Sequence, residues 1–176
     1  MNFTNFKTLQ TPGVFLGIDP GYGRTGFGII SVDGPKIKCL DYGVIETPAD
    51  CDFSARLLFL SCDIKKLIRK YKPTVVAIEE LFFFKNVTTA IKVAQARGAL
   101  ILAAAESGCE IMEFTPLQVK QAIACYGRAD KMQVQKMVKT LLNLQEIPKP
   151  DDSADALAIA ICASGSYRLM LLAKKH

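Results

Sequence analysis

The chain has one histidine, and that is His176, its last residue. A chain end seldom holds a catalytic base in place, so serine–histidine–aspartate and cysteine–histidine chemistry are excluded. Any enzyme here works with carboxylates, lysine, tyrosine, hydroxyls or metal. The six cysteines, at positions 39, 51, 62, 109, 125 and 162, form no CxxC pair and no cluster with histidine. That excludes a zinc site and a disulfide framework, and it indicates a reducing, cytosolic setting. Several stand in apolar helical stretches, where a free thiol packs as a small hydrophobe. No run of about 18 apolar residues is found. The longest alanine/leucine/isoleucine stretch, ALILAAA at 99–105, reads as a buried helix segment, so no membrane partner is expected. The opening MNFTNFKTLQTPG is polar and lacks the apolar centre of a secretory signal; residues 1–13 read as a flexible leader. Glycine, proline and serine are not in excess, and there is no repeat or low-complexity tract, which argues against disorder.

What is present is enough apolar material for one core. Half of the 176 residues are hydrophobic, consistent with a single domain over residues 14–172. VFLGID (14–19), TGFGIISVD (25–33) and KIKCLDYGVIET (36–47) are strand-like and separated by tight turns, DPGYGRTG and DGPK, which predicts an antiparallel meander. In residues 53–72, Leu57, Leu60, Ile64 and Ile68 recur at helical spacing opposite Lys65, Lys66, Arg69 and Lys70, an amphipathic helix. The strand TVVAIE (74–79) follows, reached by a parallel crossover. A long helix at 86–108, a strand at 109–115, helices at 116–125 and 130–144, and a last helix at 151–172 complete the chain. The expected fold is α/β: a five-stranded mixed sheet, three antiparallel strands then two parallel, flanked by helices, the order that an RNase H-like sheet requires and that other α/β layers can share.

The net charge is +5, from 22 basic and 17 acidic side chains. That is modest for a nucleic-acid partner. If four carboxylates were neutralised by divalent cations, the balance would rise toward roughly +9, a better match to a phosphate backbone.

The acids are placed suggestively. Asp19 ends the first strand, where it can form the turn or act at a site. Glu79 and Glu80 end the fourth strand, so one of them faces each side of the sheet. If strands one and four are neighbours, Asp19 and one of these glutamates meet where ligands gather in parallel sheets. Asp152 and Asp155, three apart at a helix start, share one face; Asp151 or Asp152 could equally serve as the helix cap. Clustered carboxylates without histidine or cysteine suit Mg²⁺ or Mn²⁺, and two such ions can drive phosphodiester hydrolysis. GYGRTG matches GxGxxG, but FGIISV after it is β-branched and strand-like, so a dinucleotide site is rejected. Its glycines are expected to serve a tight hairpin that lets phosphate or metal approach the backbone. In LFFFKN (81–86), three consecutive phenylalanines cannot all face one core. Phe82, Phe83 or Phe84 can stack on a base, with Lys85 on phosphate. Ala90, Ala94 and Gly98 form a small-residue stripe that allows either sheet packing or a dimer contact. Lys120 and Lys131 flank a loop near the expected site; Arg128, Lys136 and Lys139 read as a solvated face.

Taken in order, FLGIDPGYGRTGFGII, VVAIEELFFFKN, AIKVAQARGALILAA, FTPLQVKQAI, ADKMQVQKMV and DDSADALAIAI resemble the RuvC family of bacterial Holliday-junction resolvases over residues 14–161. The resemblance implies a cytoplasmic bacterial homodimer that nicks two strands of a four-way DNA junction symmetrically, using two Mg²⁺ ions, with a branch-migration motor as partner. It implies Asp19, Glu79, Asp152 and Asp155 as catalytic, metal-binding acids. Phe82 would be the junction-wedging aromatic, with Phe83 and Lys85 beside it on DNA. Lys120 and Lys131 would be catalytic-loop lysines, and residues 86–107 the dimer helix. Arg24 and Asp151 have no counterpart in it. The rival enzyme reading is a related nuclease acting on RNA or RNA–DNA hybrids. An actin-like ATPase would need a second phosphate-binding domain, for which the chain leaves little room, and the intact set of four acids argues against a junction binder without activity.

Overall fold

The computed structural model describes residues 13–81 and 87–173. Strands β1 (Gly13–Asp19), β2 (Arg24–Asp33) and β3 (Lys36–Glu46) form the meander, followed by α1 (Phe53–Tyr71), β4 (Val75–Glu79), α2 (Val87–Glu106), β5 (Glu110–Phe114), α3 (Pro116–Ala124), α4 (Lys131–Leu141) and α5 (Asp151–Ala173). The sheet order is β3-β2-β1-β4-β5, with β1 antiparallel to β2 and parallel to β4, and β4 parallel to β5. This is the mixed RNase H-like sheet expected from the element order. Gly13, expected in the leader, is the first residue of β1. Residues 1–12 lie outside the described residues.

Strand alternation divides the core in two. Phe15, Ile30, Val75, Ala77 and Phe114 point to the side covered by α3, α4 and α5. Leu16, Ile18, Ile29, Val76 and Ile78 point to the side covered by α1 and α2. Helix α1 buries Leu60, Ile64 and Ile68, the stripe its spacing predicts. Helices α3 and α4 start where capping boxes fix them. Thr115 accepts from the Gln118 backbone N–H while Gln118 reaches back to Thr115, and Asp130 and Gln133 do the same for α4. Those two start points set the phase of Lys120 and Lys131.

Helix α5 lies unusually close to the sheet because three glycines lie beneath it. A Cβ on Gly17 would come within 2.1 Å of the Ala156 carbonyl oxygen, one on Gly26 within 2.1 Å of the Asp152 carbonyl oxygen, and one on Gly28 within 2.6 Å of the Leu157 nitrogen. Of the glycines in the turn after β1, Gly21 fits the tight hairpin expected of it, whereas Gly26 has a further job. Gly26 admits the backbone of α5, and at Gly21 a Cβ would meet the Arg24 carbonyl oxygen across the turn. Gly28→Ala is expected to overpack this contact, at a cost of about 1–3 kcal/mol, and to lower the Tm by about 5 °C. An unchanged melting curve would mean that α5 is not seated on β2.

By length and mean hydropathy, 1.7, α5 qualifies as a membrane span. It is not an unbroken apolar run, because Ser164, Gly165, Ser166 and Arg168 interrupt it, and its average is carried by the leucines, isoleucines and alanines on either side. Its residues Ser153, Ala154, Ala156–Ala160, Cys162 and Ala163 are instead buried, where the helix packs on β1 and β2.

Candidate active site

The alternation that divides the core also selects the acids. Counting from Phe15, the α5-facing positions of β1 are 15, 17 and 19; counting from Val75, those of β4 are 75, 77 and 79. The parallel register pairs Ile18 with Ile78, so Asp19 and Glu79 are the next residues out on neighbouring strands and on one face. Glu80 turns the other way, into a recess lined by Leu81, Ala94, Arg97 and Glu113. Strand alternation alone left the choice between the two glutamates open, although the resemblance implied Glu79; the register places Glu79 on the face of Asp19.

Helix α5 brings the other two acids over the end of β1. Asp155 lines a cleft of about 210 Å³ with Asp19, Glu79, Pro116, Val119, Lys120, Lys131, Val134 and Ala158. Asp152 stands at the rim, with its side chain 35% exposed and its backbone against Gly26. Asp151 and Asp152 both fall in the first turn of α5. There they complement the helix dipole, and Ser153 closes the turn by donating its backbone N–H and its hydroxyl to the Pro150 carbonyl.

Burial and crowding disfavour the charged forms of these acids. Asp19 is pushed up to about 8, first by burial and then by repulsion from Glu79, Asp155 and Asp152, against a weaker pull from Lys131. Glu79 is pushed up to about 7 by burial and by Asp155, with Lys120 and Lys131 opposing. Asp155 is raised mainly by burial, although Lys131 pulls it down. Lys131 loses some preference for its charge through burial, but Asp155 and Asp151 outweigh that and raise it. The Lys131 ammonium lies 3.0 Å from Asp155 Oδ2 and 3.5 Å from Asp151 Oδ2, which gives Asp151 a partner that the sequence did not indicate.

Two further residues at the site were missed from the sequence. Arg24 pairs with Glu46 at 2.9 Å and reaches Asp152 at 3.7 Å. Thr25, fully buried, donates its hydroxyl to the Gly21 carbonyl at 2.6 Å and accepts the Gly21 N–H at 3.3 Å, which closes the turn just after Asp19. A threonine opening a β-branched strand carries no sequence signal for that role. Phe82, Phe83, Phe84, Lys85 and Asn86 lie outside the described residues.

Among the described residues, no three histidine, cysteine, aspartate or glutamate side chains are closed around one point as metal ligands. The donor set nevertheless fits hard divalent cations: it offers only carboxylate oxygens, and carboxylates raised by one another's charge are those a cation would lower again.

These raised values set a pH dependence. A carboxyl raised in the folded state holds its proton where the unfolded chain has released it, so its contribution to stability is complete below about pH 4 and is lost as pH rises toward 8. In chelator, Asp19→Asn is therefore expected to melt about 5 °C above wild type at pH 8 and close to wild type at about pH 4. Parallel melting at both pH values would show that Asp19 is not held in a crowded, desolvated place.

Comparison with known proteins gives the family. The family model described as crossover junction endodeoxyribonuclease RuvC matches residues 15–163. The crossover junction endodeoxyribonuclease RuvC of Ruminiclostridium cellulolyticum is 54% identical over 156 residues, 89% of this chain and 94% of that protein. That of Caldicellulosiruptor saccharolyticus is 58% identical over 148 residues, 84% and 89%. Thermus thermophilus RuvC in complex with a Holliday junction substrate superimposes with a TM-score of 0.85 at 36% identity, covering 89% of this chain and 96% of that one. The chain belongs to the RuvC family of crossover junction endodeoxyribonucleases.

Proposed function

We propose that the chain, a Holliday-junction resolvase by its family, hydrolyses two opposed strands of a four-way DNA junction symmetrically, as a homodimer, during homologous recombination and repair. The observation that carries this reading is that Asp19 and Glu79, the next residues beyond the Ile18–Ile78 pair on adjacent parallel strands, line one cleft with Asp155, Lys120 and Lys131. Two Mg²⁺ ions, or Mn²⁺ in their place, held by Asp19, Glu79, Asp152 and Asp155 would supply the Lewis acidity that activates water and stabilises the leaving oxygen.

The chain's own residues do the rest. Lys120 and Lys131 hold the scissile phosphate by charge. In the free protein Lys131 neutralises Asp155, and it is released toward phosphate when the acids are otherwise compensated. Phe82, with Phe83 and Lys85, holds the opened base step. Helix α2 supplies the dimer contact. Its outward face carries exposed Ile91, Ala94, Gly98 and Leu102, and a Cβ on Gly98 would touch nothing within 4 Å. A two-fold dimer matches a two-fold junction. A branch-migration motor would deliver the junction in the bacterial cytoplasm.

The test is cleavage of a synthetic four-way junction, a linear duplex and an RNA–DNA hybrid, with Mg²⁺ and with chelator. Paired nicks confined to the junction and dependent on metal are expected. Faster cleavage of the hybrid would overturn the assignment.

A further inference from the structure

Helix α2 carries a cation that faces inward. Arg97 is on the helix face beside buried Ala96 and Leu100, with its side chain only 19% exposed. Its Nε donates to the Glu79 backbone carbonyl at 3.0 Å, and its Nη2 is ion-paired with the Glu113 carboxylate on β5. One guanidinium thus joins α2, the end of β4 and β5. We infer that Arg97 is a positioning residue that fixes the backbone of Glu79, and so sets where the Glu79 carboxylate stands in the cation site; this rests on the four-acid reading above.

The argument begins with what else holds Glu79. On the β1 side the ladder stops at Ile18↔Ile78. On the β5 side Glu79↔Phe114 is the last pair, with the Glu80 N–H donating to the Phe114 carbonyl at 2.8 Å. Beyond Glu79 the chain has left the strand. Glu79 is therefore a strand-terminal residue secured on one edge only, and strand ends are where ordering is weakest. A ligand for a small cation has little tolerance for this, since a displacement of about 1 Å in a reacting constellation can cost about a hundredfold. Arginine suits the task because its planar fork directs separate N–H groups at two acceptors in fixed geometry, and the Glu113 carboxylate locks the plane of the fork. A lysine can keep the charge pair with Glu113, but it has no donor at the Nε position.

The inference differs from a general role in folding. Arg97 touches neither the cleft nor its lysines among the described contacts, so its loss should act on cation binding and not on DNA affinity. The experiment uses the full-length protein with Arg97→Met, Arg97→Lys and the reference Asp19→Asn. Mn²⁺ binding is measured by calorimetry without DNA, and junction affinity is measured in chelator. Single-turnover cleavage is followed as a function of Mn²⁺.

Arg97→Met is expected to raise the half-saturating Mn²⁺ concentration about tenfold in both calorimetry and cleavage. Metal-free junction affinity should stay within twofold, and much of the cleavage rate should return at high Mn²⁺. Arg97→Lys should fall between Met and wild type; should the methionine variant not fold, the lysine variant is judged by the same criteria. A Mn²⁺ midpoint within twofold of wild type overturns the inference. So does a parallel loss of junction binding, melting temperature and cleavage that added Mn²⁺ does not recover, which marks a merely structural arginine. Asp19→Asn separates the two levels. If it loses Mn²⁺ binding and cleavage while Arg97→Met behaves as wild type, only the role of Arg97 fails. If Asp19→Asn itself binds Mn²⁺ and cleaves as wild type, the four-acid site fails and takes this inference with it.

Discussion

Asp19→Asn is expected to lower single-turnover cleavage of a four-way junction by about a thousandfold or more while leaving junction affinity within about threefold. The rate change corresponds to about 4 kcal/mol of lost transition-state stabilisation. The reason lies in the position of Asp19. It is the most crowded of the four acids, facing Glu79, Asp155 and Asp152 together. The amide is close in size and hydrogen-bonding reach but carries no charge, so the cavity survives while the site's demand for divalent cations falls. DNA affinity should be spared because it depends on basic groups: Lys120 and Lys131 remain, and Asp19, raised to about 8, carries little charge in the metal-free protein for the amide to remove. The same variant should melt higher at pH 8 in chelator, as derived above. One substitution that destroys activity and stabilises the fold is the signature of a strained functional site. Cleavage by Asp19→Asn within tenfold of wild type would remove Asp19 from the reaction.

Much of this arrangement was legible from the sequence because local and global signals agree. Each strand of the meander is β-branched and bounded by Gly/Pro turns, α1 shows helical spacing at Leu60, Ile64 and Ile68, and the starts of α3 and α4 are written as Thr115-x-x-Gln118 and Asp130-x-x-Gln133. Element order then fixes which strands are reached by crossovers. The parts that were hidden depend on contacts between distant segments. That Gly17, Gly26 and Gly28 exist to admit α5 cannot be read from a turn motif. Membrane-like apolarity in α5 becomes a buried core face only once the sheet beneath it is known. The Arg24–Asp152, Lys131–Asp151 and Arg97–Glu79 contacts join residues separated by 18 or more positions, and a basic residue in a helix gives no hint of which backbone carbonyl it will meet.

The choice between Glu79 and Glu80 gives the sharpest separation between adjacent residues. Glu79→Gln is expected to reduce junction cleavage by about a hundredfold or more, whereas Glu80→Gln should stay within about threefold, both measured under single-turnover conditions at saturating metal. The two side chains are chemically identical and one peptide apart, so neither composition nor net charge can produce the difference; only the two-residue period of the strand can. Val75 and Ala77 face α5, Val76 and Ile78 face α1 and α2, and the register with β1 then places Glu79 beside Asp19 and directs Glu80 to the far side of the sheet, near Arg97 and Glu113. Glu79 is also the one raised by burial and by Asp155. A larger loss from Glu80→Gln than from Glu79→Gln would require β4 to be shifted by one residue. Every apolar side chain of that strand would then exchange faces, an arrangement that the fully buried Val75, Val76, Ala77 and Ile78 could accommodate by hydrophobicity alone. The identity of the glutamate in the site is therefore fixed by the hydrogen-bonded register with β1 and β5, and measuring both variants tests that register directly.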